Sequence, residues 1–224
     1  MILEHDGIWI IKDDSHIGKW VMDSGRLDHD VWLFDKLSEV LPSGGVCFDI
    51  GAYIGDHTVW YAKHFDRVLA WEPNPEAFEC LKHNTEHIDN VECFNSAVGV
   101  DGDVKYALEW CGSNYGTAQL TEDAGGDISI VQPEDVGNLS FVKIDVEGFE
   151  PEVLLVLSDA IRKYRPRMLI EQRVADGNLD AVSSFLDDLN YHYYPIQGKI
   201  GKQCDLYCEP NGDCEPNGEQ PLGK

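Results

Sequence analysis

Carboxylates follow four apolar runs of this chain. Asp49 follows Val46-Cys47-Phe48, Glu72 follows Arg67-Val68-Leu69-Ala70-Trp71, Asp145 follows Phe141-Val142-Lys143-Ile144, and Glu171 follows Met168-Leu169-Ile170. In an open α/β sheet ligands bind beyond the carboxyl ends of the strands, so these acids are placed to meet one. Glu147 and Glu150 crowd in after Asp145. Carboxylates there can take a proton from a substrate hydroxyl, orient it, or hold a metal. Buried neighbouring acids raise each other's pKa, so one of Asp145, Glu147 and Glu171 is the expected base. Lys143, inside its run, either meets substrate or neutralises a buried carboxylate. His57 follows the glycine turn directly, which would let it face the pocket, although a helix-surface side chain is the preferred reading; His29, His64, His83, His87 and His192 show no ligand spacing.

The stretch VCFDIGAYIGDHT (46–58) specifies a cofactor before any substrate is considered. The chain leaves Asp49, turns through Gly51, Ala52 and Gly55, and enters a helix near Thr58. Glycines allow the sharp turn and a close backbone approach to a ligand. The dinucleotide pattern G-x-G-x-x-G, which brings a helix N-terminus onto a pyrophosphate, is absent: the spacing is Gly51-x3-Gly55. S-adenosylmethionine has no phosphate, and a strand-end carboxylate such as Asp49 can hold its cationic amino-acid end. Glu72, ~20 residues beyond Gly51, stands where such folds place the acceptor for both ribose hydroxyls. Ser96 and Ala97 end a third strand, where small side chains would leave room for adenine; a plain strand end reads equally well. A dehydrogenase using NAD is the competing enzyme, without the glycine signature or an evident hydride site. A binding protein that kept this fold and lost catalysis is the third reading, and fold alone does not separate them.

These residues need a frame, and the apolar pattern supplies one. Strands are predicted at 46–50, 67–72, 91–98, 139–145 and 167–172, alternating with helices at 56–65, 75–87, 150–164 and 178–189. Such alternation implies a doubly wound, mostly parallel sheet with helices on both faces. Strand-like runs at 192–196 and 205–208 are expected to close it as an antiparallel edge. Before this core (46–209) lies an extension, 1–45, read as two short strands (Gly7–Ile11 and Lys19–Met22) and a helix from Asp28 or Asp30 to about Val40. Residues 99–138 are rich in Gly and Asp and break the alternation. After the core, 210–224 reads as a loose acidic tail, with CEPNG repeated at 208–212 and 214–218.

Composition sets limits. With 41 acids against 17 basic residues the net charge is −24, which disfavours nucleic acid and anionic membranes as partners. Hydrophobic residues at 43% suffice for one core, and no run approaches the length of a bilayer span. Cys47, Cys80, Cys93 and Cys111 read as small buried hydrophobes. Cys204, Cys208 and Cys214 fit no zinc spacing, so no metal site is assigned. The odd total of seven favours a reducing, cytoplasmic setting. No signal peptide is read at the start, since Glu4, His5 and Asp6 interrupt it.

Three segments, FDIGAYIGDHT (48–58), WEPNPEAFECLKHN (71–84) and FVKIDVEGFEPEVL (141–154), resemble FkbM-type methyltransferases. The most specific is KIDVEGFE, and the likeness spans roughly 20–209. The resemblance implies a class I, Rossmann-like methyltransferase with a seven-stranded sheet. It implies S-adenosylmethionine as cofactor and O-methylation of a hydroxyl on a sugar, lipid-linked glycan or natural product. By it, Asp49, Gly51 and Gly55 line the methionine side, Glu72 the ribose, and Asn74 the adenosine. Asp145 and Glu147 lie between cofactor and acceptor, and Asn114, in Ser113-Asn114-Tyr115-Gly116, belongs to a lid or substrate loop. A homodimer is compatible with it. The segment GKWVMDSGRLDHD is similar in style to members from phage and environmental genomes, which would place a phage-encoded protein in the host cytoplasm.

Overall fold

The computed structural model describes residues 1–100, 102–110, 112–173, 177–200 and 203–212. The chain opens with an antiparallel hairpin, β1 (Ile2–His5) and β2 (Ile8–Ile11), followed by helices α1 (Ile17–Ser24) and α2 (Val31–Ser38). Lys19–Met22, expected as strand, is helical. Asp14 accepts the N–H groups of His16 and Gly18 at 3.2 and 2.6 Å, which satisfies donors of the first turn. Gly18 and Val21 turn inward, and Gly25 closes the helix in the left-handed region.

The core then alternates: β3 (Val46–Ile50), α3 (Asp56–Tyr61), β4 (Arg67–Trp71), α4 (Pro75–Thr85) and β5 (Val91–Phe94). The run expected as one strand over 91–98 divides. Asn95 turns its amide onto the carbonyls of Glu72 and Pro73, at 2.9 and 3.3 Å. The chain therefore crosses the end of β4, and β6 (Ala97–Val98) leaves the main sheet to pair with the later β9. The irregular region holds β7 (Tyr106–Glu109), a single 3-10 turn (Tyr115–Thr117), β8 (Gln119–Glu122) and β9 (Ile130–Val131), with β7 and β8 forming a hairpin. Alternation resumes with β10 (Leu139–Ile144), α5 (Glu150–Val156), α6 (Ser158–Tyr164), β11 (Arg167–Arg173), α7 (Leu179–Asp188), β12 (Tyr191–Gly198) and β13 (Gln203–Pro210). The helix expected over 150–164 bends at Leu157, which lets Leu154, Leu157 and Ile161 all reach the core.

The seven-stranded sheet has the order β12-β13-β11-β10-β3-β4-β5. Five strands pair in parallel; β13 runs antiparallel to β11, and β12 antiparallel to β13, so that β13 alone is reversed in this sheet. The final strand thus inserts inside the sheet and leaves β12 at the edge. From β3 the chain winds outward through β4 and β5, then returns to β10 on the other side of β3. This reversal opens a crevice beyond the ends of β3 and β10, where ligands bind in such sheets.

Alternation along each strand sorts the faces. Phe48, Ile50, Val142, Ile144 and Ile170 pack with Val153, Leu154, Val182 and Leu186 on one side. Cys47, Val68, Phe141, Leu169 and Tyr207 pack with Leu33, Leu37, Tyr61 and Phe65 on the other. By the same alternation Asp49 and Lys143 point to this second side, paired in register across β3 and β10. Five cysteines, Cys47, Cys80, Cys93, Cys204 and Cys208, are free thiols among the described residues; Cys111 and Cys214 lie outside them. The second CEPNG copy lies outside them as well.

Candidate functional site

Asp49 is wholly buried, and burying a lone carboxylate is costly. Two partners compensate. Thr58 donates its hydroxyl to Oδ2 at 2.6 Å, and Lys143 Nζ lies 3.5 Å from Oδ1. The same ammonium donates to the Gly51 carbonyl at 2.5 Å and stands 3.4 Å from Asp145 Oδ2. Burial favours the neutral amine, but the charges of Asp145 and Asp49 outweigh it, so Lys143 holds its proton more tightly than a free lysine. This buried cation ties the end of β3 to the end of β10. Gly51 completes the junction: at φ +80° its Cβ position lies 1.8 Å from the Asp145 carbonyl oxygen, so no side chain fits.

A cavity of about 690 Å³ opens here, within the range of small-molecule sites. Gly51, Glu72, Ser96, Ala97, Asn114, Lys143, Asp145, Glu147 and Glu171 line it. Asp49, Ala52, Gly55, Thr58 and Asn74 stand behind it. Gly55 admits α4, since a Cβ would meet Leu81 at 2.8 Å. Asn74, expected beside adenosine, caps α4 by accepting from the N–H groups of Glu76 and Ala77.

Glu72 is buried at the end of β4. Its two oxygens accept the N–H groups of Tyr53 and Asn74, each at 2.8 Å. Burial pushes its pKa up to about 7 against those bonds. Each carboxylate oxygen keeps a second acceptor site, which suits a pair of vicinal hydroxyls. The acid, the small residues at 96–97 and the cavity's size together fit an adenosine-bearing ligand.

Asp145, Glu147 and Glu171 bring carboxylate oxygens within 4.8 Å of one another. Arg173 sits against them, donating to Glu147 Oε1 at 2.6 Å, pairing with Glu147 Oε2, and lying 3.4 Å from Glu171. The guanidinium thus occupies the charge role a metal would play. Burial, then the charges of Asp145 and Glu147, push the Glu171 pKa well above the usual carboxylate range. Glu171 thus holds a proton more readily than an ordinary carboxylate.

Sequence reasoning missed a further wall of the cavity. His29, Asp30, Asp56, His57 and Asp205 all line it. His29 Nδ1 lies 3.1 Å from Asp56 Oδ2, and His57 Nε2 lies 3.4 Å from Asp30 Oδ2. His57 is buried, its ring edge-on to Phe34 at 5.0 Å, rather than on a helix surface. Burial lowers the affinity of both imidazoles for a proton, but Asp56 and Asp30 outweigh it, and both pKa values rise. Burial and the nearby Asp145 charge push Asp205 up to about 7. Only the position of His57 beside the glycine turn hinted at this wall; 27 residues separate each histidine from the aspartate it meets.

A family model described as Methyltransferase FkbM domain matches residues 49–193. Hexuronic acid methyltransferase AglP of Haloferax volcanii is 27% identical over 134 residues, 56% of this chain and 55% of that protein. The chain's match thus spans about half the length of that curated relative. Methyltransferase FkbM from Methylobacillus flagellatus KT superposes with a TM-score of 0.53 at 19% identity, over 76% of this chain and 45% of that one. SMU.1697c from Streptococcus mutans, solved in complex with SAH, gives 0.52 at 15% identity, over 80% and 96%. At these identities the two structures speak for the fold.

Proposed function

The chain belongs to the FkbM-domain methyltransferase family, and from that premise we propose that it moves the methyl group of S-adenosylmethionine to a hydroxyl of a sugar or similar small molecule. The observation that carries this is the cavity at the β3/β10 reversal, with buried Glu72 on one side and Asp145 on the other. The methyltransferase of a hexuronic acid among its relatives supports a sugar acceptor.

The bound cofactor supplies an electrophilic methyl on a sulfonium. Glu72 accepts the ribose hydroxyls, while Ser96 and Ala97 leave space for the flat base. The Gly51 turn, held by Lys143, receives the methionine end. Asp145, with 36% of its side chain exposed, orients the acceptor hydroxyl for removal of its proton. Glu171, its affinity for a proton raised by burial and by Asp145 and Glu147, stands beside the same group, and Glu147, clamped by Arg173, fixes the wall. Holding oxygen and methyl in line at about 3 Å supplies much of the rate. NAD fits poorly: α3 begins with the buried carboxylate of Asp56, which repels a pyrophosphate at that helix terminus.

The test uses S-adenosylmethionine carrying an isotopic methyl and a panel of methyl glycosides, neutral and uronic. Expected is release of S-adenosylhomocysteine with the label on an oxygen of a glycoside. Label on nitrogen, or tight cofactor binding without transfer across the panel, contradicts the reading.

A further inference from the structure

The His29–Asp56 pair has the geometry of an oriented base. Asp56 sits in the first turn of α3 with 5% exposure, so its carboxylate is a fixed anchor. It meets His29 Nδ1 at 3.1 Å and thereby selects the tautomer with the proton on that nitrogen. The other nitrogen, Nε2, has Asp30 Oδ2 at 3.6 Å, beyond hydrogen-bond distance. The His29 side chain keeps 20% exposure and lines the same cavity as Gly51, Glu72, Lys143 and Asp145. His57 is the poorer candidate, being more buried, with Nε2 turned to Asp30 and Nδ1 to the Tyr61 hydroxyl.

We propose that His29, oriented by Asp56, is the group that finally takes the acceptor's proton. This rests on the methyltransferase reading above and refines it: Asp145 orients the hydroxyl, and the proton leaves through His29. The acceptor O–H bond breaks and its proton passes to Nε2. The oxygen forms the new bond to the methyl carbon, whose bond to sulfur breaks with the electron pair remaining on sulfur. The resulting imidazolium is stabilised by the Asp56 carboxylate. The charged and titratable groups around His29 are Asp56 and His57 from α3, its neighbour Asp30, and His16, whose ring stands edge-on at 5.7 Å. Asp205 on β13 faces this set through its interactions with His57 and Asp30.

The first readout needs no acceptor. With ¹⁵N-labelled histidine, the neutral His29 ring is expected to carry its proton on Nδ1, and Asp56→Asn is expected to lower its pKa. A neutral ring protonated on Nε2, or a pKa indifferent to Asp56→Asn, overturns the proposal. The second readout follows S-adenosylhomocysteine release against pH with methyl glucoside and methyl glucuronide as probes. His29→Asn is expected to reduce kcat at least 100-fold and flatten the pH profile, with affinity for S-adenosylhomocysteine within threefold of the parent. An inflection that survives in His29→Asn, or vanishes in Asp145→Asn instead, overturns it. Failure of the unaltered protein to bind S-adenosylhomocysteine refutes the methyltransferase reading itself. If neither probe turns over, the nitrogen titration alone decides the assignment.

Discussion

At the residue scale, the buried charges divide into those that hold the site and those that use it. Lys143 is of the first kind, because Asp49 has no exposure and depends on it. Removing one partner of a buried pair costs about 3–5 kcal/mol. Lys143→Met is therefore expected to lose stability of that order in urea unfolding; a loss below 1 kcal/mol, on the order of a surface pair, contradicts this role. The acids at the strand ends were legible in sequence because an apolar run closed by a carboxylate marks where a buried strand reaches a polar edge. Their roles were not. Nothing in the spacing shows that Arg173 clamps Glu147, that Glu171 has its pKa raised by its neighbours, or that Asn74 caps a helix. Those outcomes depend on which side chains share a low-dielectric space, and that is set by sheet order.

At the element scale, two junctions control the site. The β3 turn abuts the end of β10 so closely that Gly51 has no room for a methyl group, and its φ of +80° is a strained conformation for other residues. Gly51→Ala is expected to cost more than about 1 kcal/mol and to weaken cofactor binding together with stability. A variant as stable as the parent in thermal unfolding would show the turn to be looser than this close approach implies. The second junction joins the segment before α2 to the first turn of α3 through His29, Asp30, Asp56 and His57. The histidines' folded pKa values lie above the usual value of 6.5, so their contribution is full below that pH and fades as pH rises through the folded values. The two aspartates, held below 3.8, keep their contribution above that pH and lose it only in stronger acid. Amide protection in α2, corrected for intrinsic exchange, should thus fall as pH rises above 6.5 and through the raised folded values, and not in the His29→Gln/His57→Gln double variant. The alternating core was legible because strand and helix periods differ. The stretch Lys19–Met22 reads as strand because aromatic and β-branched residues favour strands, whereas the local cap by Asp14 on the first turn accompanies a helix there. The departure of β6 was invisible because the Asn95 amide, not apolar pattern, directs it.

At the scale of the whole molecule, the reversal between β3 and β10 creates the crevice, and the irregular region and N-terminal extension cover it. Asp14 accepts the Tyr53 hydroxyl at 3.0 Å and Ser15 donates to the Ser113 carbonyl at 2.8 Å, so the extension is bonded to both walls. No helix among the described residues is long and apolar enough to cross a membrane. A net charge of −24 repels itself in the folded state. Added salt screens that repulsion, so Tm is expected to rise with sodium chloride, by about 2–4 °C for each ~1 kcal/mol relieved. A Tm that falls with salt would mean that attractive pairs outweigh the excess acid. The cavity and the acid within it stand or fall by what they bind. Calorimetric titration with S-adenosylhomocysteine, with NAD alongside, on the unaltered chain and on Glu72→Ala reads this without any acceptor. Charged hydrogen bonds of about 1.5–3 kcal/mol make the expected loss in the variant about 10–100-fold. Micromolar binding of S-adenosylhomocysteine is expected, weakened by that factor in Glu72→Ala and without a matching response to NAD. No binding to the folded chain, or equal binding by the variant, would refute the assignment of this cavity.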